Sequence, residues 1–163
     1  MNKYLKTDPW LVVEEGFHPE QQRITESLFS LGNGRFGQRG NFEETYTGDS
    51  LKGNYFAGIY YPDKTRVGWW KIGYPEYFAK VLNAVEWAGM NIRINETTLD
   101  LNVQSPQNFR RVLDMRNGVL QRTFDVDIDG NILHFEFERF CSMSNKELGV
   151  VQLRIFSDTF EGV

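Results

Sequence analysis

Cysteine is almost absent from this chain: among 163 residues there is one, Cys141. An internal disulfide framework is therefore excluded, and a lone thiol without an export signal fits a reducing cytoplasm. Histidine is nearly as scarce. His18, His134 and Cys141 together are too few for a zinc site of the usual kind. An excess of basic charge is also missing. The net charge is −4 and the pI about 5.3, which argues against nucleic acid as a main partner. No apolar run approaches the roughly 20 residues that cross a bilayer. Lys3, Lys6 and Asp8 precede Trp10 where a signal peptide would carry its apolar stretch, so none is expected. There is no internal repeat and no low-complexity tract.

Aromatic residues, by contrast, are plentiful, at 15% of the chain. They are also clustered. Twelve of the 24 lie between Phe42 and Trp87, a region that overlaps the glycine-rich stretch from Gly32 to Gly73. The first half therefore reads as loop-rich and sticky. From Phe109 onward the pattern changes to a β-meander. Asn117-Gly118 and Asp129-Gly130 are strong hairpin signals, because a type I′ turn needs positive φ at both central positions. Leu120, Phe124, Val126 and Ile128 share one parity, with Arg122 as the exception, and Leu133, Phe135, Phe137, Cys141 and Met143 share another. Val151, Leu153 and Ile155 alternate in the same way after a turn near Asn145. Such alternation predicts half-buried antiparallel strands.

Further strands are expected over Trp10–Phe17, Ile24–Leu31, Arg35–Arg39, Tyr55–Tyr61 and Met90–Ile94, and a short helix near Pro75–Leu82. Eight to ten strands predict an all-β fold, an antiparallel two-sheet β-sandwich with long loops and at most a short helix. The last residues, Phe160 to Val163, read as a chain cut just after a strand.

Gly32-Asn33-Gly34-Arg35-Phe36-Gly37 fits the G-x-G-x-x-G dinucleotide fingerprint in letters only. The fingerprint needs a helix to open there, and no helical apolar period follows, so glycines at a strand turn are the favoured reading. Glu43-Glu44, with Glu26 upstream, could suggest carboxylates for glycoside chemistry. Adjacent strand residues point to opposite faces, so a polar surface or turn role is expected for the pair. His18 reads as a loop residue and His134 as a polar-parity strand residue; neither has a nucleophile partner. Cys141, on the apolar parity, reads as core. The stretch Tyr60 to Pro75 has no strand alternation and many rigid rings. Three readings stay open for it: a docking interface, a sugar contact in which Arg66, Trp69, Trp70, Lys71 and Tyr74 bind the ligand, or an ordinary buried loop.

Several spaced blocks carry a resemblance. The segment Glu26-Ser27-Leu28-Phe29-Ser30-Leu31-Gly32-Asn33-Gly34-Arg35-Phe36-Gly37-Gln38-Arg39-Gly40-Asn41-Phe42-Glu43-Glu44 resembles the opening signature of glycoside hydrolase family 65, which contains maltose, kojibiose and trehalose phosphorylases. Lys80 to Trp87, Leu113 to Arg122 and Arg139 to Ser142 are similar to its next blocks, in order, although Val85 stands where the family often has proline. Gly48 to Gly53 and Tyr61 to Tyr74 are most similar to its maltose-cleaving members.

The resemblance implies a supersandwich-like N-terminal domain spanning 1–163, incomplete at its C-terminal end. It implies a catalytic (α/α)-barrel outside this chain and a homodimer. The implied reaction is inverting phosphorolysis of an α-glucosidic disaccharide to β-glucose 1-phosphate and glucose. Inorganic phosphate is the co-substrate and no cofactor is implied. No catalytic residue falls on this chain, and the expected role is support of the barrel and of dimer contacts. The alternatives are a stand-alone carbohydrate-binding module for α-glucans, suggested by Trp69-Trp70 and Tyr74, and a self-associating domain. Neither nucleic acid nor membrane is an expected partner.

Overall fold

The computed structural model describes residues 4–65, 73 and 75–160. The fold is an antiparallel β-sandwich whose principal layer is a six-stranded sheet. Its strands are β1 (Leu5–Thr7), β2 (Leu11–Glu15), β10 (Gln107–Asp114), β11 (Val119–Ile128), β12 (Asn131–Cys141) and β13 (Gly149–Phe156), in the order β1-β2-β10-β11-β12-β13. The facing layer is built from short pieces: β3 (Leu31–Gly32), β4 (Phe36–Gln38) and β5 (Asn54–Phe56) in one sheet, and a hairpin of β8 (Arg93–Ile94) and β9 (Thr97–Thr98). A further two-stranded ribbon pairs β6 (Tyr60–Lys64) with β7 (Tyr77–Val81). One short helix, α1 (Gln22–Leu28), follows a single 3₁₀ turn over Pro19–Gln21.

The predicted parities form the core, except at Met143, which lies beyond β12 and is exposed, and at Ile155 on β13, which is exposed too. Phe109, Phe124, Val126, Ile128, Leu133, Phe135 and Phe137 of the large sheet pack against Phe42, Ile92, Ile94, Leu99 and Leu101 of the facing layer. Cys141 is buried as expected, and burial pushes its thiol pKa up. At Asp129-Gly130 both residues have positive φ, 55° and 81°, so the tight turn forms as the dipeptide predicts. Asn117-Gly118 differs. Only Gly118 is left-handed, and four residues join β10 to β11, with the Asp114 carboxylate accepting the Arg116 and Asn117 amides.

Four expectations are corrected. The region of Ile24–Leu31 is mainly helix, not strand. Its buried side chains, Gln22, Thr25 and Glu26, are polar at i, i+3 and i+4, while Ile24 and Leu28 face solvent, so apolar periodicity could not reveal it. Pro75–Leu82 holds strand β7 rather than a helix. The expected strand Tyr55–Tyr61 is split in two at Gly58, where φ is +90°. Of Met90–Ile94 only Arg93–Ile94 is strand, because Asn95 at φ 52° turns the chain at once into β9. With these pieces the described residues form 13 strands, more than the eight to ten expected.

Candidate functional site

Two regions stand out: a buried charge hub and the exposed ribbon. The hub begins with a row of arginines. Arg111, Arg122 and Arg139 lie on β10, β11 and β12, each on the inward parity of its strand, and each is almost fully buried. Arg122, the exception in the apolar alternation, is thereby explained. Its guanidinium donates to Glu43 Oε2 at 2.7 Å and to Glu44 Oε1 at 2.6 Å, and also reaches Glu44 Oε2. It stacks over Phe42 at 4.3 Å and Phe137 at 4.5 Å. Arg139 Nη1 approaches Glu43 Oε1 at 3.1 Å and its Nη2 donates to the Arg39 carbonyl. Arg111 donates to Glu14 through Nε and Nη2, to the Gly40 carbonyl and to Thr25 Oγ1. Glu26, on α1, completes the hub by accepting from Ser50 Oγ and the Leu51 amide.

Of the polar surface or turn role expected for Glu43-Glu44, the turn holds and the surface is corrected here. Both are buried. They lie in a bend rather than a strand, so adjacent side chains converge on one arginine instead of diverging. Burial alone would raise the Glu43 pKa, but Arg139 and Arg122 outweigh it and hold the carboxyl below its ordinary range. A general acid needs the reverse, a proton retained near neutral pH. Although Glu43 and Glu44 line a cleft of about 240 Å³ together with Lys52, Glu86 and Asn91, Glu43 has no proton to give there. The hub is a structural clamp: it pins α1 and the Arg39–Glu44 segment to the large sheet.

The glycine-rich motif is a turn tied to the segment after β12. Gly34 takes φ +82° in the turn between β3 and β4. The Asn33 side chain accepts the Arg35 and Phe36 amides and donates to the Ser142 and Lys146 carbonyls. No helix opens there, so the dinucleotide reading is excluded. His134 Nδ1 lies 2.6 Å from Asp125 and its ring stacks on Phe156, while His18 packs on Tyr4.

The ribbon is the opposite of the hub. Nine of the ten residues of β6 and β7 are exposed, Asp63 being half-buried. Tyr60, Tyr61, Tyr77, Phe78 and Val81 all present large apolar surface. An isolated two-stranded hairpin is marginal in water, and so much exposed apolar area in one place makes the ribbon a candidate interaction surface. Its base is fixed to the domain. Asn83 accepts the Asn54 amide at 2.8 Å and donates to the Lys52 carbonyl, Ala84 donates to the Asn54 carbonyl, and Lys52 pairs with Glu86 at 2.9 Å. At its far end Thr65 donates to the Glu76 and Pro75 carbonyls. The sequence-predicted site residues Arg66, Trp69, Trp70, Lys71 and Tyr74 lie outside the described residues, in the stretch that joins the two strands.

Sequence reasoning flagged Arg122 and the carboxylates Glu26, Glu43 and Glu44 but missed Arg111, Arg139 and Glu14. A signal existed: Arg111 shares the parity of Phe109 and Leu113, and Arg139 that of Phe137 and Cys141, so three successive strands each carry an arginine among apolar residues.

Comparison with known proteins bears on both regions. The profile of the glycosyl hydrolase family 65 N-terminal domain matches residues 12–163. The maltose phosphorylase of Bacillus subtilis (strain 168) is 44% identical over 146 residues, covering 90% of this chain and 19% of that protein. A kojibiose phosphorylase of Thermoanaerobacter brockii is 29% identical over the whole chain and a fifth of its own length. A solved structure from the human microbiome, assigned as a kojibiose phosphorylase, superposes with a TM-score of 0.84 at 35% identity, covering 95% of this chain and 21% of that one. The chain thus spans about a fifth of the length of the relatives it matches.

Proposed function

The chain belongs to glycosyl hydrolase family 65, as the N-terminal domain of its phosphorylases, and from that premise we propose that it is a non-catalytic support for a catalytic barrel and for homodimer contacts. The parent reaction in this reading is inverting phosphorolysis of maltose in the cytoplasm. A carboxylic acid of the barrel protonates the glycosidic oxygen. Inorganic phosphate, already anionic, attacks the anomeric carbon, so only one carboxyl group is needed. The choice of maltose is supported by the 44% identity to a maltose phosphorylase.

One observation carries the supporting role: a ribbon of aromatic strands exposed on both faces, while every carboxylate gathered in the interior is engaged by arginines or hydrogen bonds. The ribbon is the docking element, and Arg66, Trp69, Trp70, Lys71 and Tyr74, in the sequence between its strands, are the residues proposed to contact the partner or a sugar.

The test is an assay of the purified 163-residue chain for phosphate-dependent release of glucose 1-phosphate from maltose, with calorimetric titration of maltose and longer α-glucans in parallel. No turnover and no binding heat at millimolar sugar are expected. Robust turnover would overturn the supporting role, and binding by the isolated chain would favour a carbohydrate-binding module.

A further inference from the structure

Buried polar atoms in a folded protein nearly always have partners, so the exceptions carry information. Among the described residues, five such atoms on four side chains have no hydrogen-bond partner. Arg139 Nε and Nη1 and Trp87 Nε1 are donors; Gln38 Oε1 and Asn54 Oδ1 are acceptors. Arg139 Nη1 meets the Glu43 charge at 3.1 Å but without the alignment of a hydrogen bond. A sixth atom, the Tyr46 hydroxyl, lies elsewhere, with Phe17 and Phe42.

The fold brings the four side chains together. Gln38 on β4 stands directly opposite Asn54 on β5, so both point to one face, which also carries Phe36. The Trp87 ring meets Phe36 edge-on at 5.7 Å and lies against Gly149, where any side chain would collide with it. Gly149 pairs with Cys141, and Arg139 stands two residues before Cys141 on the same inward parity of β12. Arg139 Nη2 donates to the carbonyl of Arg39, the residue after Gln38. The Arg39 amide in turn donates to the carbonyl of Gly53, the residue before Asn54. Three donors and two acceptors thus surround one interior compartment between β4–β5 and β12–β13.

We infer that this compartment is a water-binding site, in which internal waters accept from Arg139 and Trp87 and donate to Gln38 and Asn54. An internal water makes about 3 hydrogen bonds, so five atoms call for about two waters. The donor and acceptor set selects this ligand. An anion suits the donors but faces two amide oxygens and the Glu43 carboxylate. A cation suits the acceptors but faces the Arg139 guanidinium. An apolar group leaves all five atoms unpaired. Water alone of these donates and accepts at once. It joins the facing layer to the large sheet where side chains do not reach each other directly.

The test detects the water and then removes its acceptors. In NOE and ROE spectra of the 163-residue chain, the Trp87 indole proton is assigned by its loss in Trp87→Phe. It is expected to show a water cross-peak of opposite sign in the two spectra, the mark of a resident water rather than of proton exchange. Gln38→Met and Asn54→Leu keep the bulk and delete the acceptors. Where water bridges these oxygens, each change strands water and donors in the interior and the urea midpoint falls. Where the oxygens are buried unpaired, the same change removes a penalty and the midpoint rises. A fall in both midpoints is expected. If a variant fails to fold, the cross-peak of the unsubstituted chain decides alone. No resident-water cross-peak at Trp87, or a midpoint unchanged or raised in either variant, overturns the site.

Discussion

In the hub, three arginines and four glutamates lie in the interior; in the ribbon, tyrosine, phenylalanine and valine side chains lie in water. Each region reverses the usual placement of its residue types, but for different reasons. The hub finds most of its partners within the chain, although Arg139 Nε and Nη1 lack hydrogen bonds and Nη1 is met only by the Glu43 charge. Its guanidiniums meet carboxylates, carbonyls or ring faces, so the cost of removing charge from water is offset locally. The ribbon is the reverse: among the described residues its strands pair with each other, and nine of their ten residues are exposed. Unusual residues inside signal self-sufficiency here; unusual residues outside signal a surface that something else covers.

The sharpest way to break this contrast is to remove the centre of the hub. Arg122→Met leaves Glu43 and Glu44 buried without their main partner and should cost about 3–5 kcal/mol in urea unfolding. A loss below about 1 kcal/mol would mean the hub is not a clamp. Acid probes the same network through Glu43. Its native pKa lies below the unfolded value of about 4.3, so its contribution is full above that pH and disappears as pH falls through the lower native value. Gln at position 43 should therefore reduce the pH dependence of stability in that acid range by up to about 1.4 kcal/mol per pH unit, with little change in slope between pH 6 and about 8.

At the junction of the two regions, Asn83→Ala removes both side-chain bonds that tie the ribbon base to Lys52 and Asn54. About 1–2 kcal/mol should be lost, and hydrogen exchange should quicken first at β6 and β7. The smallest effect belongs to the ribbon itself. Tyr61→Ser with Val81→Ser should change the stability of the isolated chain by no more than about 0.5 kcal/mol, since both side chains are exposed. A larger loss would show that the ribbon contributes to the fold and weaken its assignment as a docking element.

Much of the large sheet was legible because period-two alternation and tight-turn dipeptides are local signals. Leu133, Phe135 and Phe137 face inward where their parity places them. The facing layer was less legible. Its helix buries polar groups and exposes Ile24 and Leu28, because what it packs against is a row of arginines rather than an apolar surface. Glu43 and Glu44 were misplaced for the same reason: their partners are about 80 residues away, beyond any local pattern. The ribbon's strands were half-found, since a segment exposed on both faces has no buried parity to read.

The arginine row also orders events during synthesis. Glu14, Glu26, Glu43 and Glu44 leave the ribosome well before Arg111, Arg122 and Arg139. Glu26 finds Ser50 and Leu51 within the same third, but until the β10–β12 meander exists the arginines that offset burial of Glu14, Glu43 and Glu44 are absent. The meander, linked by short turns, forms by local contacts, and closing the hub then requires long loops. The helix, early in the sequence, is thus expected to lock onto the sheet only after Arg111 has been placed by the meander.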